Sequence, residues 1–184
     1  WRYNTGGNIL IVYRVCMTES GLQIPFFSFH HGKTLKLINN NLIIYRRQKM
    51  VQGQCLCGKV TVSVPKPVHD VSVCHCGMCR KWNGAPFMSV DCGSDVTLSG
   101  EEYITRYHSS EWGDRCFCRE CGTHLFYYLK PADQYYVSAA LLGETTESRL
   151  SMQIYTDSKP AYYNFAEKTP MLTEQDIMAM FQAE

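Results

Sequence analysis

The chain has 184 residues, 45% hydrophobic and 19% charged, with a formal net charge of +1. That length suits one well-cored domain better than two, and the near-neutral total excludes the broad basic footprint of a nucleic-acid binder. No stretch approaches the roughly 18–20 apolar residues of a membrane-spanning helix, so no membrane partner is expected.

The charge is unevenly spread. Residues 1–49 carry seven Lys/Arg against one acid, Glu19, a net of +6, and residues 50–184 carry −5. An acidic body does not attract phosphate backbones, so no nucleic-acid partner is expected either. The first 49 residues hold Gly-Gly, His-His and Asn-Asn-Asn runs and a basic Arg46-Arg47-Gln-Lys49 segment, with no clear helical or strand period. The apolar run Ile9–Tyr13 is too short for a secretory leader and is stopped by Arg14. An orderly pattern begins at Met50. We expect residues 1–49 to be an upstream or non-native extension and residues 50–184 to be the working domain. The alternative is a native N-terminal arm with strands around Leu10–Val15 and Leu42–Tyr45.

From Met50 the signals are mostly β. Val60, Val62 and Val64 alternate with Thr61 and Ser63, predicting a half-buried strand over Lys59–Val64 that Pro65 and Pro67 end. Further short strands are predicted at Pro86–Val90, Val96–Leu98, Ile104–Tyr107, Leu125–Tyr128, Tyr135–Ala140 and Met152–Tyr155, punctuated by glycines. A one-turn helix is expected near Met78–Trp82. A C-terminal helix is expected after Thr173, which can cap it, with Asp176 in the first turn and Ile177, Met180 and Phe181 on one face. The pattern predicts an antiparallel β architecture.

Ten cysteines is a high count, and seven of them fall in tight clusters. Neighbours that close share a metal more readily than they form long-range disulfides, so a reducing, cytoplasmic location is the consistent reading. Cys55-Leu-Cys57-Gly58 and Cys118-Arg-Glu-Cys121-Gly122 have the spacing of zinc-gripping turns, in which the glycine admits a positive φ. Together these four thiolates would close a tetrahedral, structural zinc site; otherwise each pair is simply buried cysteine. Cys74-His-Cys76-Gly-Met-Cys79 offers three thiolates within six residues. Its fourth position is either open to substrate, as in a catalytic zinc site, or filled by His75, Cys92, Cys116 or His124. Cys116 lies two residues before Cys118 and would share its side of a strand, whereas His75, between two ligands, would point away. Cys16 and Cys92 have no partner motif and read as small apolar residues. His69, His108 and His124 read as solvated or hydrogen-bonded. Arg80 and Lys81 either hold an anionic substrate or form a solvated helix face. Trp82, Phe87 and Trp112 read as core rather than substrate platform.

Taken in order, Cys-Leu-Cys-Gly-Lys-Val, Cys-His-Cys-Gly-Met-Cys-Arg-Lys-Trp-Asn-Gly-Ala-Pro-Phe and Arg-Cys-Phe-Cys-Arg-Glu-Cys-Gly-Thr-His-Leu resemble the glutathione-dependent formaldehyde-activating enzyme family, which also contains centromere protein V. Asp157-Ser-Lys-Pro-Ala-Tyr162 resembles its C-terminal motif, with Tyr162 where Trp is usual. The resemblance covers about residues 51–166. It implies a mainly β fold of small antiparallel sheets, the β-tent type, stapled by the four-cysteine zinc. It implies two zincs per chain, a structural one at Cys55, Cys57, Cys118 and Cys121 and a second at Cys74, Cys76 and Cys79. Cys116 is not part of the family pattern. The implied activity is that of a carbon–sulfur lyase on glutathione and formaldehyde, through S-(hydroxymethyl)glutathione. A zinc-stabilised binding module without turnover stays open beside it, because a fold does not by itself carry a reaction.

Overall fold

The computed structural model describes the backbone of residues 2–5, 8–14, 33–38, 41–46, 50–65, 67–143 and 147–182. The chain divides into two compact units, Trp1–Lys49 and Met50–Glu184. The first contains β1 (Arg2–Thr5), β2 (Asn8–Arg14), β3 (Lys33–Ile38) and β4 (Asn41–Arg46). They form an antiparallel sheet in the order β1-β2-β4-β3. The alternative strands at Leu10–Val15 and Leu42–Tyr45 coincide with β2 and β4, except at Val15, which lies outside the described residues together with Cys16.

The second unit is mainly β, with eleven strands in two sheets among the described residues and two short helices, as the β-tent expectation has it. The smaller sheet runs β5-β6-β9, from β5 (Val51–Gln54), β6 (Thr61–Val64) and β9 (Thr97–Ser99). Val60, Val62 and Val64 are buried as their alternation requires, but Ser63 is also buried. Both faces of this central strand are therefore covered, where one solvated face was expected. Gly53 in β5 lies so close to the Leu141 carbonyl that a Cβ there would fall 1.9 Å from its oxygen. That close approach seats the small sheet against the turn that follows a strand of the larger one.

The larger sheet runs β10-β11-β12-β13-β8-β7-β14-β15. Its strands are β7 (Asp70–Cys74), β8 (Phe87–Asp91), β10 (Ile104–Ser110), β11 (Gly113–Cys118), β12 (His124–Leu129), β13 (Gln134–Ser138), β14 (Arg149–Ile154) and β15 (Met171–Leu172). The expectation of purely antiparallel sheets is corrected here: β7 with β14 and β14 with β15 pair in parallel. These pairs are joined by long connections rather than tight turns, and a long connection can reverse the chain before it re-pairs. The expected Tyr135–Ala140 strand ends at Ser138 and turns into a short 3-10 segment, Ala139–Leu141. Strand β11 carries no apolar alternation because its centre holds Asp114 and Arg115, both buried. The core links the sheets through Cys55, Val60, Val62, Val90, Cys116, Cys118, Leu125, Phe126 and Val137.

Both helices follow local rules. In α1 (Gly77–Asn83), Cys76 is the N-cap, its sulfur accepting from the Cys79 N–H at 3.4 Å, and Gly84 ends the helix with φ 69°. In α2 (Glu174–Gln182), the Thr173 hydroxyl accepts from the Asp176 N–H at 3.2 Å and the Asp176 carboxylate accepts from the Thr173 N–H at 2.8 Å, a reciprocal capping box.

Candidate metal centres

The first centre is built from two matching turns. Just after β5, the chain turns back toward β6 with Gly58 N–H donating to the Cys55 carbonyl at 2.9 Å and Val60 N–H reaching the Cys55 sulfur at 3.3 Å. At the end of β11, Gly122 N–H donates to the Cys118 carbonyl at 2.8 Å. Gly58 and Gly122 have φ of 75° and 72°, the left-handed backbone that glycine adopts without a Cβ clash. The two turns bring Cys55, Cys57, Cys118 and Cys121 together, their sulfurs all within 4.8 Å of one another. Cys57 Sγ lies 3.5 Å from Cys55 Sγ and 3.7 Å from Cys118 Sγ.

Spacing did not point to the residue that joins the turns. Thr123 Oγ1 accepts from the Leu56 N–H at 3.1 Å and lies 3.1 Å from Cys121 Sγ, so its own hydrogen is free to bond the sulfur. That hydroxyl, helped by the Thr123 N–H, holds the Cys121 thiol down at about 5. The Lys59–Glu120 ion pair, at 2.7 Å, ties one turn to the other across the surface.

The second centre sits where β7 runs into α1. Cys74 ends the strand, Cys76 caps the helix and Cys79 lies in its first turn; their sulfurs too lie within 4.8 Å of one another. Three thiols so close do not ionise together without a cation. Hydrogen bonds with Cys76 and Cys79 push the Cys74 thiol far up, while those from Cys74 and Cys79 hold Cys76 well below the usual thiol range. A divalent metal relieves that repulsion, and sulfur donors suit zinc rather than hard cations.

The fourth-ligand candidates are placed elsewhere. His75 is fully buried, with Nδ1 2.7 Å from the Tyr163 hydroxyl and Nε2 3.0 Å from Gln153 Oε1, so both ring nitrogens are engaged. Cys116 is buried in the core opposite Arg106 and Phe126, and burial pushes its thiol up to about 12. Two residues of strand span ~7 Å, which separates Cys116 from the strand end where Cys118 sits. Cys92 bonds the Val90 carbonyl at 3.7 Å. His124 stacks on Trp82, centroids 4.1 Å apart, and bonds Asn83, whose amide holds the Cys79 carbonyl at 2.9 Å. No fourth His, Cys, Asp or Glu joins Cys74, Cys76 and Cys79 among the described residues.

The neighbours of this centre are specific. Arg80 donates to the His75 carbonyl at 2.8 Å, so it fixes the ligand loop, while Lys81 is exposed. Phe87 is buried as core and the half-buried Trp82 packs edge-on against it, whereas Trp112 and Tyr162 are exposed. Tyr155 follows the β14 residue paired with Cys74 and has φ 55°, a left-handed conformation rare for a bulky side chain. Burial, then the nearby Cys74 and Cys76, push its hydroxyl up to about 12. His69 pairs with Glu147 at 3.2 Å and His108 with Asp114 at 2.7 Å, and neither histidine joins a cysteine cluster.

The family model described as glutathione-dependent formaldehyde-activating enzyme matches residues 50–158. This chain belongs to that family. Within it, an uncharacterised lyase of Schizosaccharomyces pombe is 34% identical over 128 residues, spanning 69% of this chain and 93% of the relative. A crystal structure of a Rhodobacter sphaeroides protein aligns over 65% of this chain and 98% of its own, at 22% identity and a TM-score of 0.45. The family span begins at Met50 and includes all seven clustered cysteines. No helix among the described residues is long and apolar enough to cross a membrane.

Proposed function

We propose that this protein is a zinc-dependent carbon–sulfur lyase acting on a thiol–aldehyde adduct of the S-(hydroxymethyl)glutathione kind, with one zinc at each cysteine cluster. The observation that carries this reading is the unequal donor count: four thiols in one cluster, three in the other. Four thiolates complete a tetrahedral shell, which makes Cys55, Cys57, Cys118 and Cys121 a structural site. Three leave a position for an outside ligand, the pattern of a catalytic zinc, at Cys74, Cys76 and Cys79. Bound there, zinc supplies the Lewis acidity that keeps a substrate thiol ionised at neutral pH. The family's name supplies the substrates, glutathione and formaldehyde, and the fission-yeast relative is named a lyase.

The chain's own groups prepare the site. The Cys76 cap and the Arg80 bond to His75 hold the three sulfurs in one register. His75, clamped by Tyr163 and Gln153, keeps Cys74 and Cys76 from swinging apart. In the lyase direction the C–S bond of RS–CH2–OH breaks, sulfur keeps the electron pair, and the hydroxyl proton is released as the carbonyl forms. The nine free cysteines among the described residues suit a reducing, cytoplasmic setting. We take residues 50–184 as the functional unit, since the family span starts at Met50.

The test combines metal analysis with X-ray absorption during a glutathione titration. Two zincs per chain, one of them gaining a sulfur ligand, support the enzyme, and accelerated exchange between formaldehyde and glutathione completes the case. Two zincs already saturated by protein ligands, with no acceleration, would leave a zinc-stabilised binding module instead.

A further inference from the structure

Arg115 lies in the middle of β11 and is only 4% exposed. A guanidinium is seldom buried this deeply without a carboxylate, because the charge must be compensated once water is removed. Among the described residues no carboxylate pairs with it. Its neighbour Asp114 is held by His108 at 2.7 Å and Lys130 at 2.9 Å, and successive strand residues point to opposite faces. Arg115 faces sulfur instead. Its Nη2 donates to Cys79 Sγ at 3.4 Å, and its Nη1 donates to the Ser109 hydroxyl. The guanidinium carbon lies 5.8 Å from the Trp82 ring centre and 5.3 Å from that of Tyr127. Those rings hold the cation and keep water from it. Its Nε has no hydrogen-bond partner among the described residues. Strand, rings and Ser109 thus aim one side of the fork at a single candidate ligand, and a Cys79 thiolate is the anion within its reach.

We propose that Arg115 is a positioning residue that acts through Cys79 to set how readily the Cys74/Cys76/Cys79 centre accepts an anionic thiolate as its fourth ligand. The inference rests on the reading of that cluster as an open zinc site. Three thiolates on Zn²⁺ leave a formal charge of −1, and a fourth makes it −2. A fixed cation at one sulfur offsets that charge where screening by water is weak. The N–H···S bond also draws electron density from Cys79, so the metal stays receptive to another donor. Lysine carries the charge without the planar fork, and methionine fills similar space with neither.

The experiment uses the full chain loaded with Co²⁺ and titrated with glutathione, followed by the sulfur-to-cobalt absorption. Wild type is expected to gain a thiolate at one cobalt. Arg115→Met is expected to bind glutathione about tenfold to a hundredfold more weakly, the range of a charge-assisted hydrogen bond. Its charge-transfer band should move to lower energy before any glutathione is added, and Arg115→Lys should recover part of the affinity. Cobalt at the four-cysteine cluster reports that each variant is folded. Wild-type affinity and an unshifted band in a folded Arg115→Met protein would overturn the proposal. Should that variant fail to load the four-cysteine cluster, Arg115→Lys decides, and glutathione affinity equal to wild type overturns it. A wild-type protein that does not respond to glutathione sinks the functional reading, and this role with it.

Discussion

A hydroxyl and a thiol test the two centres most directly. Thr123 touches both turns of the four-cysteine site, so Thr123→Val removes the bond to Cys121 and the tie to the Leu56 N–H, which turns to water instead. Residues that orient a metal's ligands are worth roughly 10–100-fold in metal affinity. We expect zinc loss at that site about tenfold easier or more, read by competition with a chromophoric chelator, with the three-cysteine site unaffected. Cys116 is the opposite case. It resembles a ligand by position but is a buried neutral thiol in the core. Cys116→Ala should keep the full metal content and cost about 1 kcal/mol of stability, as for a small core truncation. Loss of one metal equivalent in that variant would return Cys116 to the ligand set. The seven clustered cysteines were legible because chelating spacings are local. Arg115 and Thr123 were not, because each acts on a sulfur that the fold, rather than the spacing, brings to it.

At the scale of elements, the C-terminal helix shows what local chemistry can announce. Thr173 and Asp176 cap it reciprocally, at the positions the sequence marks. Thr173→Ala should weaken α2 by about 1 kcal/mol, seen as faster amide exchange in Glu174–Ile177. Unchanged exchange would mean that packing alone holds the helix. The expected apolar face is only partly used, for Ile177 is half-buried but Met180 is exposed. Strand β11 shows what local chemistry conceals. Asp-Arg at its centre reads as solvated, yet both side chains are buried because each finds a partner across space. Strand β7 escaped for another reason: its last residue belongs to a cysteine motif, and one of its two partners, β14, is 75 positions or more along the chain.

For the whole molecule, the pH dependence of stability follows from that buried aspartate. Burial acts to raise the Asp114 carboxyl, but the bonds from His108 and Lys130 outweigh it and hold the group below the usual carboxylate range. A depressed folded-state value gives stability that is present above the unfolded value of about 4 and lost as pH falls through the folded one. The urea midpoint should therefore drop below about pH 4, and Asp114→Asn should flatten that drop. Equal acid slopes in the two proteins would remove Asp114 from the account.

The sequence by itself determined the two cysteine clusters, the excess of β structure and the cap of the C-terminal helix, because chelate bites, alternation and capping act over two to five residues. Only the tertiary structure decided the contacts around those cysteines: His75 clamped between Tyr163 and Gln153, Thr123 bridging the two turns, and a buried arginine facing Cys79. Those outcomes depend on the register in which β10, β11 and β12 pair and on the parallel seam of β7 with β14, which bring together residues up to 88 positions apart. Long-range register is set by the packing of the whole core, and no short window of sequence contains it.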